Sequence, residues 1–103
     1  MAIEINAYAS VVTGGELELN YWKGIISGKV KLQEQAVDDA LVILINSSRD
    51  RIENYLTTGA EGQFEFIVTN RDLYHLIVEY KNEGRVYSAL SRPFLSPSPA
   101  GGD

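Results

Sequence analysis

Apolar and polar residues alternate with a period of two along most of this 103-residue chain. Side chains two residues apart share one face of a β-strand, whereas an amphipathic helix repeats its apolar positions every three and four residues. The alternation predicts strands over residues 16–21, 26–32, 40–45, 52–58, 64–69, 74–80 and 85–92. Turn residues separate these ranges roughly every ten positions, which is typical of a β-sandwich. We therefore predict an all-β fold, a seven-stranded antiparallel sandwich of the Ig-like or prealbumin-like kind.

Two segments flank the predicted sandwich. In residues 1–23, Gly14-Gly15 separates two alternating halves, as a tight hairpin does. This segment is interpreted either as an edge hairpin of the same sandwich or as an arm that docks on another molecule. Residues 93–103 contain all three prolines of the chain and cannot continue a central strand. The predicted organisation is an N-terminal arm or hairpin 1–23, a β-sandwich domain 24–92 and an irregular tail 93–103.

The predicted strand at residues 40–45 is apolar on both faces. If its even-numbered residues form the core, alternation sends the odd-numbered ones to the opposite face, and the same argument turns one isoleucine of each of two later strands outward. These outward residues are Leu41, Ile43, Ile45, Ile67 and Ile77. Covering a large aliphatic side chain contributes roughly 1.5 to 3 kcal/mol. We expect the N-terminal segment, the twist of the strand itself or a neighbouring subunit to cover this patch.

Aromatic residues extend the expected contact surface. Amphipathic rings are enriched at protein interfaces, although they also favour strands for local reasons. The candidate rings are Tyr8, Tyr21, Trp22, Tyr55 and Tyr87. The predicted partner interface combines Tyr8, Tyr21, Trp22, Leu41, Ile43, Ile45, Ile67 and Ile77, with Trp22 as the favoured anchor.

Charge and composition exclude several classes of partner. Nine basic and fourteen acidic side chains give a net charge of −5, which repels phosphate backbones and anionic lipid. There is no cysteine, so disulfides and thiolate metal sites are excluded. No apolar run approaches the ~20 residues of a membrane helix, and the first residues lack the pattern of a secretory signal. We expect neither a nucleic-acid nor a membrane partner.

The residues suited to catalysis are few. His75 is the only histidine and lies mid-strand on an outward position, so it is interpreted as a surface residue. No Gly-x-Ser-x-Gly elbow is present to expose a serine nucleophile. Asp38, Asp39 and Glu61 offer oxygen ligands for calcium, but they lack Asp-x-Asp spacing and are interpreted as solvated turn residues. The sequence predicts no catalytic residue, no cofactor and no metal, and hence no enzyme.

The stretch TTGAEGQFEF, residues 57–66, predicts a sharp corner before a strand. Its glycines can supply the positive φ that a tight connection requires, and Phe64 and Phe66 then share one face. Thr58, Gly62, Phe64 and Phe66 are the predicted structural corner. Replacing Gly62 by a β-branched residue should present the two rings less accurately.

The corner belongs to a longer pattern of Gly-x-Val, Ala-x-Val-x-Leu, Thr-x-x-x-Gly-x-Phe-x-Phe and Tyr-x-Leu-x-Val. The matching residues are Gly28, Val30, Ala40, Val42, Leu44, Thr58, Gly62, Phe64, Phe66, Tyr74, Leu76 and Val78. From Ile26 to Leu90 the chain thereby resembles the carboxypeptidase regulatory-like and transthyretin-like β-sandwich modules. It departs from them at Gln35-Ala36-Val37, where a proline is common, and at Gly59, where an aspartate is common. The resemblance implies the fold and carries no activity, because such modules serve many proteins as spacers and adhesive units.

The overall layout is similar to that of short Ig-like structural proteins of tailed bacteriophages. This similarity implies a non-catalytic structural or assembly protein, made in the host cytoplasm and present in the virion at a tail, baseplate or head decoration site. Its partners would be other protein subunits, either copies of itself in a homo-oligomer or other virion proteins. The alternative is an adhesive module that binds a receptor or a glycan through the loops at 46–51, 59–63 and 81–84. A hydrolase using His75 is the third hypothesis.

Overall fold

The computed structural model describes residues 3–13 and 23–91, which form eight β-strands and no helix. The strands are β1 (Ile3–Thr13), β2 (Lys23–Leu32), β3 (Gln35–Ala36), β4 (Leu41–Asn46), β5 (Arg51–Thr57), β6 (Gln63–Val68), β7 (Tyr74–Asn82) and β8 (Arg85–Leu90). The predicted all-β class is confirmed. The count differs from seven because β1 and the two-residue β3 are additional, while the strand predicted at 16–21 lies outside the described residues.

The described strands form two antiparallel sheets of four strands each. In the first sheet β2 is central, with β1 along one side and both β6 and the short β3 along the other. The second sheet has the order β5-β4-β7-β8. β4 and β7 are therefore its inner strands, and β5 and β8 are its edges.

Strand β1 is an edge strand of the first sheet. It pairs with β2 from Ile3–Leu32 to Thr13–Lys23, with a register shift between Val11 and Thr13. Residues 3–13 are therefore part of the first sheet, where their partner is β2; the second half of the predicted hairpin, residues 16–21, lies outside the described residues. The connection 14–22 and the tail 92–103 lie outside the described residues.

The core lies between the two sheets and receives alternate residues from most strands. Its buried apolar members are Ile3, Ile26, Val30, Val37, Ala40, Val42, Leu44, Phe64, Phe66, Val68, Tyr74, Leu76 and Val78. The even-numbered residues of the 40–45 segment point inward, as alternation predicts: Ala40 and Val42 are 0% exposed and Leu44 is 1% exposed. The opposite face of the same strand is consequently turned outward.

Two hairpins are closed by two-residue turns with positive φ at both positions. Between β7 and β8 these are Glu83 (φ 52°) and Gly84 (φ 78°), in the turn that the sequence predicts from Asn82-Glu83-Gly84. Between β2 and β3 they are Gln33 (φ 53°) and Glu34 (φ 65°). Positive φ at both central residues is the requirement of a type I′ turn, which matches the twist of the adjoining strands.

Candidate functional site

A continuous apolar row crosses the outer surface of the second sheet. Tyr55 of β5 pairs with Ile43 of β4, Ile43 pairs with Ile77 of β7, and Ile77 pairs with Leu90 of β8. All four residues alternate with inward-facing neighbours, so their side chains share the outward face. Tyr55 is 68% exposed and Leu90 is 43% exposed, while the two isoleucines between them are half-buried.

The rows on either side add further apolar residues to this surface, and polar side chains mark its boundary. Ile45 pairs with Ile52 of β5, which is 62% exposed, and with His75 of β7. On the other side Leu41 pairs with Glu79 of β7. We call the outward residues of the three rows the apolar face; its members are Leu41, Ile43, Ile45, Ile52, Tyr55, Ile77 and Leu90. An apolar centre with a polar rim is the usual composition of a protein–protein interface.

The chain builds this face because β4 is an inner strand with apolar residues on both sides. Its even residues fill the core and its odd residues lie between the edge strands on the outer surface. Neighbouring strands supply Ile77 from β7 and Tyr55 from β5 at matching register. The face is therefore a property of the sheet rather than of any single strand.

A polar network lies at one end of the second sheet, around the β4–β5 turn. The buried amide of Asn46 donates to Asp72 (2.9 Å) and to Glu53 (3.2 Å), and its carbonyl oxygen accepts from the backbone N–H of Arg49 (3.0 Å). The Arg49 guanidinium also donates to Asp72 at 2.8 Å. Because a buried amide without partners is costly, these contacts hold the turn in one place.

The network lowers the pKa of one of its members, and burial raises the pKa of a neighbouring tyrosine. The hydrogen bond from Arg49, followed by that from Asn46, lowers the pKa of Asp72 below its ordinary value. Burial raises the pKa of Tyr74 to about 12, and its hydroxyl donates to the carbonyl of Asn70 at 2.9 Å. Tyr74 therefore remains a neutral donor across the physiological range.

His75 contacts the turn as well. Its Nδ1 and the hydroxyl of Ser47 share a hydrogen bond of 2.6 Å, and the backbone N–H of Ser47 donates to the carbonyl of Leu73 at 2.8 Å. The ring lies beside Ile45 at the rim of the apolar face. The contact joins the β4–β5 turn to β7 and gives the histidine a structural partner that sequence spacing did not suggest.

The predicted corner connects the two sheets. The hydroxyl of Thr58 accepts from the N–H of Ala40 (2.9 Å) and donates to the carbonyl of Val37 (2.6 Å). Gly62 has a φ of +73°, and its carbonyl accepts from the N–H of Val30 on β2 at 2.9 Å. The corner thus fixes the end of β5 against the start of β4 and the start of β6 against β2.

The two aromatic residues that follow the corner both enter the core. Phe64 is 5% exposed and Phe66 is 2% exposed, and their ring centroids are 6.1 Å apart. The corner is a structural site, and none of its polar atoms named above is left over for a ligand.

The outer surface of the first sheet has a different character. Its rows include Tyr8–Ser27–Glu65 and, next to it, Asn6 opposite Lys29. A shallow groove of about 840 Å³ lies here and extends to the end of β5. Tyr8 is 70% exposed at its side. This surface combines polar side chains with the exposed ring of Tyr8 and, in the neighbouring row, with Ile25 opposite Ile67.

The structure divides the predicted interface residues among three places. Four of them, Leu41, Ile43, Ile45 and Ile77, lie on the apolar face. A single patch that also includes Ile67 is wrong, because β6 belongs to the first sheet; Ile67 is 56% exposed there, beside Ile25. The remaining predicted residues are Tyr8, on the first sheet, and Tyr21 and Trp22, which lie outside the described residues.

Comparison with known proteins assigns no family to the chain. No protein-family model, curated protein or solved structure matches it. Over residues 3–13 and 23–91, no helix is long and apolar enough to cross a membrane. In the same ranges, no group of three or more histidine or acidic side chains could hold a metal ion.

Proposed function

We propose that this chain is a non-catalytic assembly module whose apolar face packs against another protein subunit. The observation that carries the proposal is the uninterrupted row from Tyr55 through Ile43 and Ile77 to Leu90, which spans all four strands of the second sheet. An exposed apolar side chain on its own is ordinary, but a row that continues from one edge to the other is a contiguous patch.

Energetics favour a cover for this patch. Removing the remaining exposed part of Tyr55, Ile52 and Leu90 from water contributes roughly 1 to 2 kcal/mol for each side chain. Glu79 and His75 at the rim can make polar contacts to the partner without being buried at its centre. The surface of a folded protein with its own apolar patch can both bury these side chains and make polar contacts at the rim.

For the biological setting we propose a virion, at a tail, baseplate or head decoration site of a tailed bacteriophage. The support is the similarity in layout to short Ig-like structural proteins of such particles, together with a surface suited to permanent contacts. For the finer fold we propose the prealbumin-like sandwich, supported by the corner at Thr58 and Gly62 and by the alternation of β4 and β7.

The test compares incorporation of two variants into the native complex. Tyr55→Glu with Leu90→Glu adds two charges at the ends of the apolar row, where both side chains are already exposed. Ile67→Glu with Thr69→Glu adds the same two charges to β6 of the first sheet and to the residue just after its end, both exposed, and serves as the matched control. Thermal unfolding of both variants verifies that they fold.

We expect the first variant to remain folded and to be lost from purified particles or complexes, while the control is incorporated like the wild type. A photo-crosslinking residue at position 55 should give one adduct of defined mass, which the same residue at position 65 does not give. Equal incorporation of both variants would contradict the assembly role of the apolar face.

A second candidate, the glycan-binding or receptor-binding module, is favoured by the groove on the first sheet. Tyr8 offers an exposed ring for stacking, and Asn6, Lys29 and Gln63 offer hydrogen-bonding groups along the groove. A glycan array with the wild type and Tyr8→Ala tests it. Binding that disappears in the variant would support this candidate over the assembly role.

A further inference from the structure

Strand β1 presents a long edge that no described strand pairs with. It runs for eleven residues and its ladder with β2 is continuous from Ile3 to Val11. Within residues 3–13 and 23–91, β2 is its one hydrogen-bonded neighbour. The backbone N–H and C=O groups directed away from β2 therefore form a template for a further strand.

The other edges of the two sheets carry features that discourage such pairing. β5 has a register shift opposite Leu44 and Ile45, and it carries Arg51 and Glu53. β6 and β8 are six residues long. Bulges, charges and shortness are the devices by which proteins protect edges. β1 carries such features only near its two ends, the charge of Glu4 and the register shift between Val11 and Thr13, and residues 5–10 between them carry neither.

The sequence of β1 is complementary to itself in one antiparallel register. In such a pair, directly opposite residues share a face of the sheet. The two-fold axis must therefore lie level with one residue, which is then opposite its own copy on the second strand, and not between two successive residues. An axis at Ala7, the centre of the continuous ladder, places Tyr8 opposite Asn6, Ile5 opposite Ala9, and Glu4 opposite Ser10. Each pair joins residues of matching character.

The charges also permit this register. The two Glu4 side chains of such a pair lie six residues apart along the strands, or about 20 Å at ~3.4 Å per residue. This separation is about twice the ~8 to 10 Å over which salt screens exposed charges. The inward residues Ile5, Ala7 and Ala9 pack against the core in each copy. Pairing of two copies therefore joins apolar residues to apolar ones on the inner face of the sheet, and polar residues to polar ones on the outer face.

We propose that β1 pairs with β1 of a second copy of this chain around a two-fold axis at Ala7, which joins the two first sheets into one continuous sheet. The inference rests on the edge of the first sheet and goes beyond the assembly role of the apolar face. It leaves that face free in both copies, so the dimer presents two of them.

The first test is the solution mass as a function of concentration, by sedimentation equilibrium. Wild type should approach twice the 11.4 kDa mass of the chain. Asn6→Glu with Tyr8→Glu places like charges opposite each other on both sides of the axis and should abolish the dimer. Asn6→Glu with Tyr8→Lys places opposite charges there and should retain it. Thermal unfolding of the monomeric variant checks its fold.

The second test fixes the register through crosslinking. Because the chain contains no cysteine, Ala7→Cys introduces a single thiol that lies opposite itself across the proposed axis. Opposite residues of an antiparallel pair lie within disulfide reach. Ala9→Cys, on the same strand and face, lies opposite Ile5 and is the control. We expect a disulfide-linked dimer from the first variant under mild oxidation, and far less from the second.

Three outcomes would overturn the proposal. The first is a wild type that stays monomeric at about 1 mM, where a dimer with a dissociation constant of that order would be well populated. The others are equal crosslinking of the two cysteine variants, and a dimer that survives like charges at positions 6 and 8. A dimer lost instead in Tyr55→Glu with Leu90→Glu would assign self-association to the apolar face. Loss of particle incorporation with an intact β1 dimer would support both proposals at once.

Discussion

Replacing Gly62 by alanine should destabilise the fold through two separable effects. The first is conformational, because φ at this position is +73° and an L-residue there costs roughly 1 to 2 kcal/mol. The second is steric, since the new Cβ would lie 2.5 Å from the carbonyl oxygen of Val30 and 3.2 Å from the backbone nitrogen of Val37. Both neighbours are backbone atoms, so no side chain can rotate to relieve the contact.

The steric effect has its own magnitude. Relief requires the corner to move away from β2, which weakens the hydrogen bond from the N–H of Val30 to the carbonyl of Gly62, now 2.9 Å. A buried backbone group left without a partner costs about 1 to 3 kcal/mol. We therefore expect Gly62→Ala to lower the free energy of unfolding by about 2 to 5 kcal/mol, a large fraction of the roughly 5 to 15 kcal/mol of an ordinary domain.

Two other glycines separate the contributions. Gly84 has a φ of +78° but no atom within 4 Å of an added Cβ, so Gly84→Ala should show the conformational cost alone, about 1 to 2 kcal/mol. At Gly59 the added Cβ would meet the Gln63 side chain at 3.1 Å, and that side chain can move. Gly59→Ala should stay within about 0.5 kcal/mol of wild type.

The assay is equilibrium unfolding in urea followed by far-UV circular dichroism, with the free energy obtained by linear extrapolation. The expected order of destabilisation is Gly62→Ala, then Gly84→Ala, then Gly59→Ala. A Gly62→Ala variant no less stable than Gly84→Ala would refute the claim that the corner is held against β2 by close backbone approach.

Two further predictions concern polar groups. Thr58→Val leaves the N–H of Ala40 and the carbonyl of Val37 without the hydroxyl and should cost about 1 to 3 kcal/mol in urea unfolding, whereas Thr58→Ser should retain most of the stability. Arg49 lowers the pKa of Asp72 in the folded state. The contribution of this ion pair to the free energy of unfolding is therefore fully present above the unfolded carboxyl pKa near ~3.9, and it is lost as the pH falls through the lower pKa of the folded state. Between pH 7 and pH 2, the melting temperature of the wild type should therefore fall more steeply than that of Asp72→Asn. Equal slopes would contradict the prediction.

Alternation predicts six of the eight described strands and, for β2, β4, β6 and β7, which side faces the core. The observed bounds of β2, β4, β5, β6, β7 and β8 fall close to the predicted ranges, because inward residues such as Val42 and Leu76 recur at a period of two. Alternation could not assign a strand to a sheet. For that reason alternation alone groups Ile67 with Ile43, although β6 pairs with β2 and not with β4.

Other features were hidden because they depend on cross-strand register or on local strain. β3 follows a turn formed by Gln33 and Glu34, both at positive φ, where glycine or asparagine is the recognisable signal. Leu90 and Ile52 join the apolar face only once the pairing partners of β8 and β5 are known. The contacts of Asn46 with Asp72 and Glu53 likewise need the loop before β7 to be placed.

The apolar face is also more than a by-product of strand propensity. Ile43 and Ile77 lie on inner strands, where β-branched residues are favoured for local reasons. Tyr55 and Leu90 lie on the two edges, where water reaches the side chain and leucine has no special preference for a strand. Folding of the isolated chain gains little free energy from an apolar residue at these two positions, because most of the Tyr55 ring and much of Leu90 remain exposed to water. Their placement in one register row with the inner isoleucines is therefore what we expect if, as proposed above, another subunit packs against the apolar face.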